Sequence, residues 1–419
     1  MRVKTDIGEK TIRFSWSENL SNFRGNVFYV TYDVDVSQTP RHLANFMFGI
    51  RMAGLISFNR IPVEFDELTE GELEAINGLV KLNYLSRGCS GRPRGHDTLM
   101  PAGEPPKVKS KKLVVGEPHR NNGPVLCANG MGKDGLNVLS LVKELGFDMR
   151  CFTVSGQLSE KRWNEHISTT NKVYVLKNIQ SNIIKTNFFA KRSGILGFYP
   201  YFLAIPLAFH YGSEAVLSGK QIHASKTSLK DNIPYCPTES IFGSNYATKA
   251  TGIKFSSPTK SISEYGAQKL LVDRYPELLK YQRSCIRGMP WCNKCSKCRR
   301  AALHLELLGK EYKTLGLKHA KKEDFSFPIK YYGGVMESDI LALKMREKRP
   351  YSDWLVKTNE VVYPLIWKGK EVSSILEEHF ESYSHDPGPD GFGYTCVPSK
   401  WKKWLENGII QGEEVEESN

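Results

Sequence analysis

No run of eighteen apolar residues occurs in the 419-residue chain, which argues against a transmembrane helix and so against a membrane partner. The opening stretch, "MRVKTDIGEKTIRF", lacks the apolar core of a signal peptide and points to a cytoplasmic protein. No internal repeat stands out. Acidic side chains are in the minority, 45 against 58 Lys and Arg, for a formal charge of +13. That balance favours an anionic partner, whether nucleotide, nucleic acid or acidic protein. The cysteines lack the even count of a secreted disulfide framework. There are nine, and Cys89, Cys127, Cys151, Cys236 and Cys396 are scattered.

What is present is a globular composition, 40% hydrophobic and 25% charged, in a chain long enough for two or three domains. In residues 1–85, "VFYVTYDVDV" alternates as a strand, with Phe28, Val30, Tyr32 and Val34 on one face. "RHLANFMFGIRMAG" sets Leu43, Phe46, Met47 and Ile50 on a helical stripe, and "GELEAINGLVKLNYL" does so with Leu73, Ile76 and Val80. Residues 86–118 are rich in Gly, Pro and basic side chains and read as a linker or long loop. From about 120 to 280 strand and helix alternate, as in α/β folds. "VLCANG", "MRCFTVSG", "KVYVLK" and "EAVLSG" read as strands; "LNVLSLVKELG", closed by Gly146, and "YFLAIPLAFHYG" read as helices. After 310 come the amphipathic "SDILALKMREK" and "VSSILEEHFESY", then "SKWKKWLENG" and the acidic tail "GEEVEESN". Trp401 and Trp404 suit a docked helix or a nucleic-acid contact. Three parts follow: an α+β extension with a basic linker (1–115), an α/β domain (116–310) and a mostly helical extension (311–419).

Two segments carry chemistry. "SCIRGMPWCNKCSKCRR" places Cys285, Cys292, Cys295 and Cys298 in the spacing Cys-x6-Cys-x2-Cys-x2-Cys. Four thiolates suit tetrahedral zinc with no open position, hence a structural ion. An iron–sulfur cluster is the alternative. Lys294, Lys297, Arg299 and Arg300 offset the thiolate charge. The second segment is "ANGMGKDG", between a strand and a helix. There, backbone N–H groups and the positive helix end would meet an anion. Gly130, Gly132 and Gly135 permit close approach, Lys133 adds charge, and Asp134 suits a helix cap or magnesium. The loop lacks both the Gly-Lys-Ser/Thr ending of a Walker loop and the dinucleotide Gly-x-Gly-x-x-Gly.

In combination and order, these segments resemble the 7-cyano-7-deazaguanine synthases (QueC-like) among the pyrophosphatase-loop ATP enzymes. That family's loop reads Ser-Gly-Gly-x-Asp-Ser, where this chain has "GMGKDG" (130–135). Its second strand ends in Gly-Gln, as Gly156-Gln157 does here, and its zinc cluster resembles Cys285 to Arg300. The long terminal extensions are similar to those of QueC-like proteins from bacterial antiphage operons, most like the Qat type. The resemblance implies a pyrophosphatase-loop (adenine nucleotide alpha hydrolase-like) parallel sheet with helices on both faces. It implies ATP at Gly130, Met131, Gly132, Lys133, Asp134, Gly135, Gly156 and Gln157, with Lys133 and Asp134 catalytic and Mg2+ as cofactor. Tyr235, Cys236 and Glu239 correspond to the substrate-binding stretch, and the four cysteines to the structural Zn2+. The implied activity is adenylation of a deazaguanine carboxylate and its transfer to an amine on a protein partner from the same operon. The chain also departs from the family. Gly130 and Gly135 replace the loop serines, Met131 replaces a glycine, and Glu264 stands where a lysine is expected. These departures define the alternative expectation, a catalytically decayed scaffold or nucleic-acid-binding subunit.

Overall fold

The computed structural model describes residues 1–18, 25–85, 104–155, 160–187, 200–219, 228–230, 233–235, 239–259, 264–285, 291–320, 366–367 and 370–371. Three strands come first: β1 (Val3–Ile7), β2 (Thr11–Trp16) and β3 (Val27–Tyr32). They are followed by α1 (Arg41–Asn59), β4 (Val63–Leu68), α2 (Glu70–Leu85) and β5 (Val108–Leu113). The α/β part then runs β6 (Val125–Ala128), α3 (Lys133–Glu144), β7 (Met149–Val154), α4 (Glu160–Lys177), β8 (Gln180–Thr186), α5 (Ile205–Tyr211) and β9 (Ala215–Leu217). After the short pair β10 (Ser228–Lys230) and β11 (Ile233–Tyr235) come α6 (Glu239–Thr251), β12 (Lys254–Ser256), α7 (Glu264–Arg274) and α8 (Ser296–Leu307).

One eight-stranded sheet has the order β1-β2-β3-β8-β7-β6-β9-β12. Strands β8, β7, β6, β9 and β12 are mutually parallel. In chain order the parallel part is therefore 3-2-1-4-5, a doubly wound arrangement. Its strand order reverses between β6 and β9, and ligands of such sheets bind beyond the carboxyl ends of the strands at that point. Strands β1–β3 are an antiparallel extension, joined by Val30↔Thr186 and Tyr32↔Ile184, so the sheet is continuous across residue 115.

Strands β6 and β9 are apolar throughout because both faces are covered. Leu126, Phe152 and Val216 point into a core shared with Phe14, Phe28 and Phe48, whereas Cys127, Cys151 and Leu217 point into a second core with Leu136, Leu139 and Leu270. Helices α1 and α5 cover the first face, and α3 and α7 the second. Phe48 of α1 stacks on Phe14 at a centroid distance of 4.4 Å, tying the extension to this core.

Two expectations need correction. "KVYVLK" is the last part of α4, not a strand, and the third parallel strand is β8. Val173 and Tyr174 are buried while Val175 and Leu176 are exposed, two in and two out, which is helical periodicity despite the β-branched residues. The linker at 86–118 also contains β5. Its "VKSKKL" pairs in parallel with the acidic "VEFDEL" of β4, aligning Lys109 with Glu64 and Lys112 with Glu67. Charge complementarity across the pair makes a strand of a segment whose own pattern reads as loop. Gly156, Gln157 and Cys236 lie outside the described residues, as do "SDILALKMREK", "VSSILEEHFESY", "SKWKKWLENG" and the acidic tail. No helix among the described residues is long and apolar enough to cross a membrane.

Candidate functional site

Strand β6 delivers the glycine loop to the point where the strand order reverses. Asn129, buried at the strand end, accepts the Met131 N–H at 2.9 Å, and its own carbonyl accepts the Thr153 hydroxyl at 3.2 Å. This clamp holds Met131 at φ 58, a left-handed conformation unusual for a non-glycine residue, with its side chain fully buried. The Met131 carbonyl accepts the Arg283 N–H at 2.5 Å, joining the loop to the segment that leads into the cysteines. Gly132 then precedes α3 in an extended conformation without a side-chain cap, so the first N–H groups of the helix need other acceptors. Gly135 is required by packing, because a Cβ there would stand 2.9 Å from Asn129 Oδ1. Replacing Asn129 by alanine would orphan the buried Met131 amide. The expected cost is about 1–3 kcal/mol, measurable as a lowered urea midpoint with an unchanged m-value.

In front of the loop lies a cavity of ≈ 280 Å³, bounded by Gly219 beyond β9 and by residues of α7 and α8. Four cations line it: Lys133, Arg283, Lys297 and Arg300; the carboxylates are Asp134 and Glu264. The Lys133 ammonium bonds Asp134 at 2.8 Å and also pairs with Glu264. Burial opposes its charge, but these two carboxylates hold its pKa above the usual lysine value. Burial raises the Asp134 pKa, and Glu264 adds to the rise while Lys133 opposes it. The Asp134 side chain is still 35% exposed. Gln268 and Gln282 exchange two amide hydrogen bonds of 3.0 Å, linking α7 to the Arg283 segment. His304 completes the α8 side, its ring edge-on to Tyr265.

The same two segments build a candidate metal centre. The four sulfurs of Cys285, Cys292, Cys295 and Cys298 all lie within 4.8 Å of one another and form no disulfide. Separations of 3.9 Å (Cys285–Cys295), 3.8 Å (Cys292–Cys298) and 3.5 Å (Cys295–Cys298) bracket the ~3.8 Å edge of a zinc–thiolate tetrahedron. Asn293 takes a left-handed turn, and the Lys294 N–H reaches Cys292 Sγ at 3.5 Å. The Asn293 side chain also bonds the Gly316 carbonyl and the Lys318 amide, fixing this turn to the chain beyond α8. Cys295 is the N-cap residue of α8. Contact with Cys285 and Cys295, together with burial, holds the Cys298 thiol far above its ordinary pKa. Four sulfurs at these distances could share one cation, and the donor set fits a closed site for an ion such as zinc.

The cavity thus brings Gly130, Gly132, Lys133, Asp134 and Gly135 together, with the cysteine centre behind one wall. Tyr235 ends β11 and Glu239 opens α6, but their side chains are not among those described. The sequence reading passed over Gly219, Gln268, Gln282, Arg283 and His304 as cavity residues. The available signal was the spacing of Lys297, Arg300, Ala301 and His304, which share one face of a helix. Residues 244–321 match a protein family of unknown function (DUF6395). That stretch includes α7, the four cysteines and α8, the wall opposite the glycine loop. No curated protein matches the chain.

Proposed function

We propose that the chain is a QueC-like, ATP-dependent carboxylate–amine ligase of an antiphage system. One observation carries this reading: the uncapped start of α3 and four cations face one cavity at the reversal point of a 3-2-1-4-5 sheet. The start of a helix without a side-chain cap, with cations around it, suits a phosphate chain. The resemblance of the loop and cysteine cluster supplies the remainder, a deazaguanine carboxylate as substrate and an amine on a partner protein as acceptor.

In this reading the α-phosphate of ATP rests near the loop amides, and Arg283, Lys297 and Arg300 take the departing pyrophosphate. A carboxylate oxygen attacks the α-phosphorus, the bond to the bridging oxygen breaks, and pyrophosphate leaves. The acceptor amine then attacks the acyl carbon of the adenylate. AMP departs, the amine loses a proton, and an amide remains. Asp134, which lines the cavity, would hold Mg2+, and the ion would screen the triphosphate charge. The amides and cations of the chain stabilise charge that grows on the leaving group. Mg-ATP at one hundred times its dissociation constant should stabilise the chain by about 2.7 kcal/mol, seen as a raised denaturation midpoint. No shift at millimolar Mg-ATP would count against a nucleotide site.

A second reading, a scaffold with a decayed ATP site, is favoured by one observation. Lys133 is engaged by two carboxylates, Asp134 and Glu264. The proposed ligase must release it toward phosphate. Accordingly, Glu264→Gln should lower stability yet tighten pyrophosphate binding about tenfold, as measured by titration calorimetry. Equal or weaker binding would favour the scaffold.

A further inference from the structure

We infer that the four-cysteine metal centre and the cavity are thermodynamically coupled. Metal occupancy sets the affinity of the cavity for phosphate, and bound phosphate in turn slows loss of the metal. This rests on the proposed reading of the cavity as a phosphate site.

The coupling follows from which residues the sulfurs join. Gln282, Arg283 and Ser284 line the cavity, and the next residue is Cys285. Cys295 is the N-cap of α8 and Cys298 lies in its first turn, and Lys297, Arg300, Ala301 and His304 of the same helix line the cavity. Thus Arg283, Lys297 and Arg300, three of the four cavity cations, stand on two segments held together by the thiolate cluster. The Cys285–Cys295 contact of 3.9 Å is where the segments meet. Further along α8, Ala302, Leu303 and Leu305 are buried in a core with Val272 of α7, so the middle of the helix has its own support. The first turn is tied to the Cys285 segment through the sulfurs. Without a cation to hold the four sulfurs together, the turn carrying Lys297 is free to shift relative to the Cys285 segment, and the Arg283 amide loosens from Met131. An anion bridging Arg283 to Arg300 or Lys297 pulls the same segments together and so favours the metal-bound form. Linkage makes the two effects equal in free energy.

The test uses the full-length chain, zinc and inorganic pyrophosphate. Titration calorimetry of zinc-loaded and chelator-stripped protein should show pyrophosphate binding weakened roughly 5–150-fold on stripping, with circular dichroism confirming that the stripped chain remains folded. Cys292→Ser, which alters a sulfur but no cavity-lining residue, should act likewise. The reciprocal measurement avoids any folding defect: zinc transfer from the wild-type chain to a chromogenic chelator should slow when pyrophosphate is present. Arg300→Ala should abolish that protection. If pyrophosphate binds equally well to the stripped, folded chain and leaves zinc transfer unchanged, the coupling is overturned while the phosphate site stands. If the zinc-loaded chain binds no pyrophosphate, both fall.

Discussion

Cys298→Ser is expected to release the metal and to lower stability by on the order of 4 kcal/mol, in the range that loss of a metal produces. The Cys298 side chain is almost wholly buried, and its sulfur lies 3.5 Å from that of Cys295 and 3.8 Å from that of Cys292. A serine hydroxyl keeps the shape but is a poor ligand for a thiophilic ion. The remaining thiols would be left buried without their cation, beside a core that includes Ala302, Leu303 and Leu317. The direct measurements are metal content per chain and the urea midpoint. One equivalent of zinc in the wild type and none in the variant is the expected result. Chelator-treated wild type should unfold at the variant's midpoint. A wild-type midpoint indifferent to chelator would show that the sulfurs pack without an ion.

Gly219→Ala should be the most damaging single methyl at the cavity. Its Cβ would stand 2.5 Å from Asp134 Cβ and 2.7 and 2.8 Å from the Asp134 backbone carbon and oxygen. The obstacle is the first turn of α3, so no side-chain rotation relieves the clash. Overpacking of this kind costs about 1–3 kcal/mol. The same displacement would turn the loop amides out of line, weakening Mg-ATP binding about tenfold or more, equivalent to 1.4 kcal/mol. Gly130→Ala is the control. A Cβ at Gly130 meets nothing within 4 Å, so stability should stay within ~0.5 kcal/mol of wild type. Equal loss of binding in both variants would show that the loop senses any added methyl. Loss in Gly219→Ala alone would identify the fit between β9 and α3 as the requirement.

The central sheet was legible wherever strands are covered on both sides. Strands β6 and β9 are short apolar runs leading into Asn129 and Ser218, and burial on both faces leaves little choice of residue. The stripe Leu43, Phe46, Met47 and Ile50 was read correctly as the buried face of α1. The third parallel strand was misplaced because "QSNIIKT" has only two apolar residues, Ile183 and Ile184, while the nearby "KVYVLK" has the stronger local strand character. Burial of Val173 and Tyr174 against the sheet decides for helix there, a tertiary effect that outweighs propensity. Strand β5 was hidden because its pairing depends on acidic residues more than forty positions earlier in the chain.

The site was half legible for a similar reason. Glycine stands at 135 because Asn129 crowds the backbone there, and a cluster of four cysteines is what a shared ion would need. Those are local causes with local marks. The opposing wall comes from α7, the Arg283 segment and α8, which the strand order brings back to the loop from more than 120 residues away. Nothing in Glu264 alone signals that it would meet Lys133. The ion pair exists only because α7 packs beside α3.

The measurement closest to the central claim is AMP release. Zinc-loaded full-length chain would be incubated with Mg-ATP and 7-carboxy-7-deazaguanine, with and without a co-expressed operon partner, and AMP followed by mass spectrometry. The ligase reading predicts AMP that depends on the carboxylate, disappears in Asp134→Ala, and accompanies a mass increase on the amine acceptor. Absence of AMP under every condition, from protein that retains its zinc and its fold, would contradict it and leave the cavity to a scaffold.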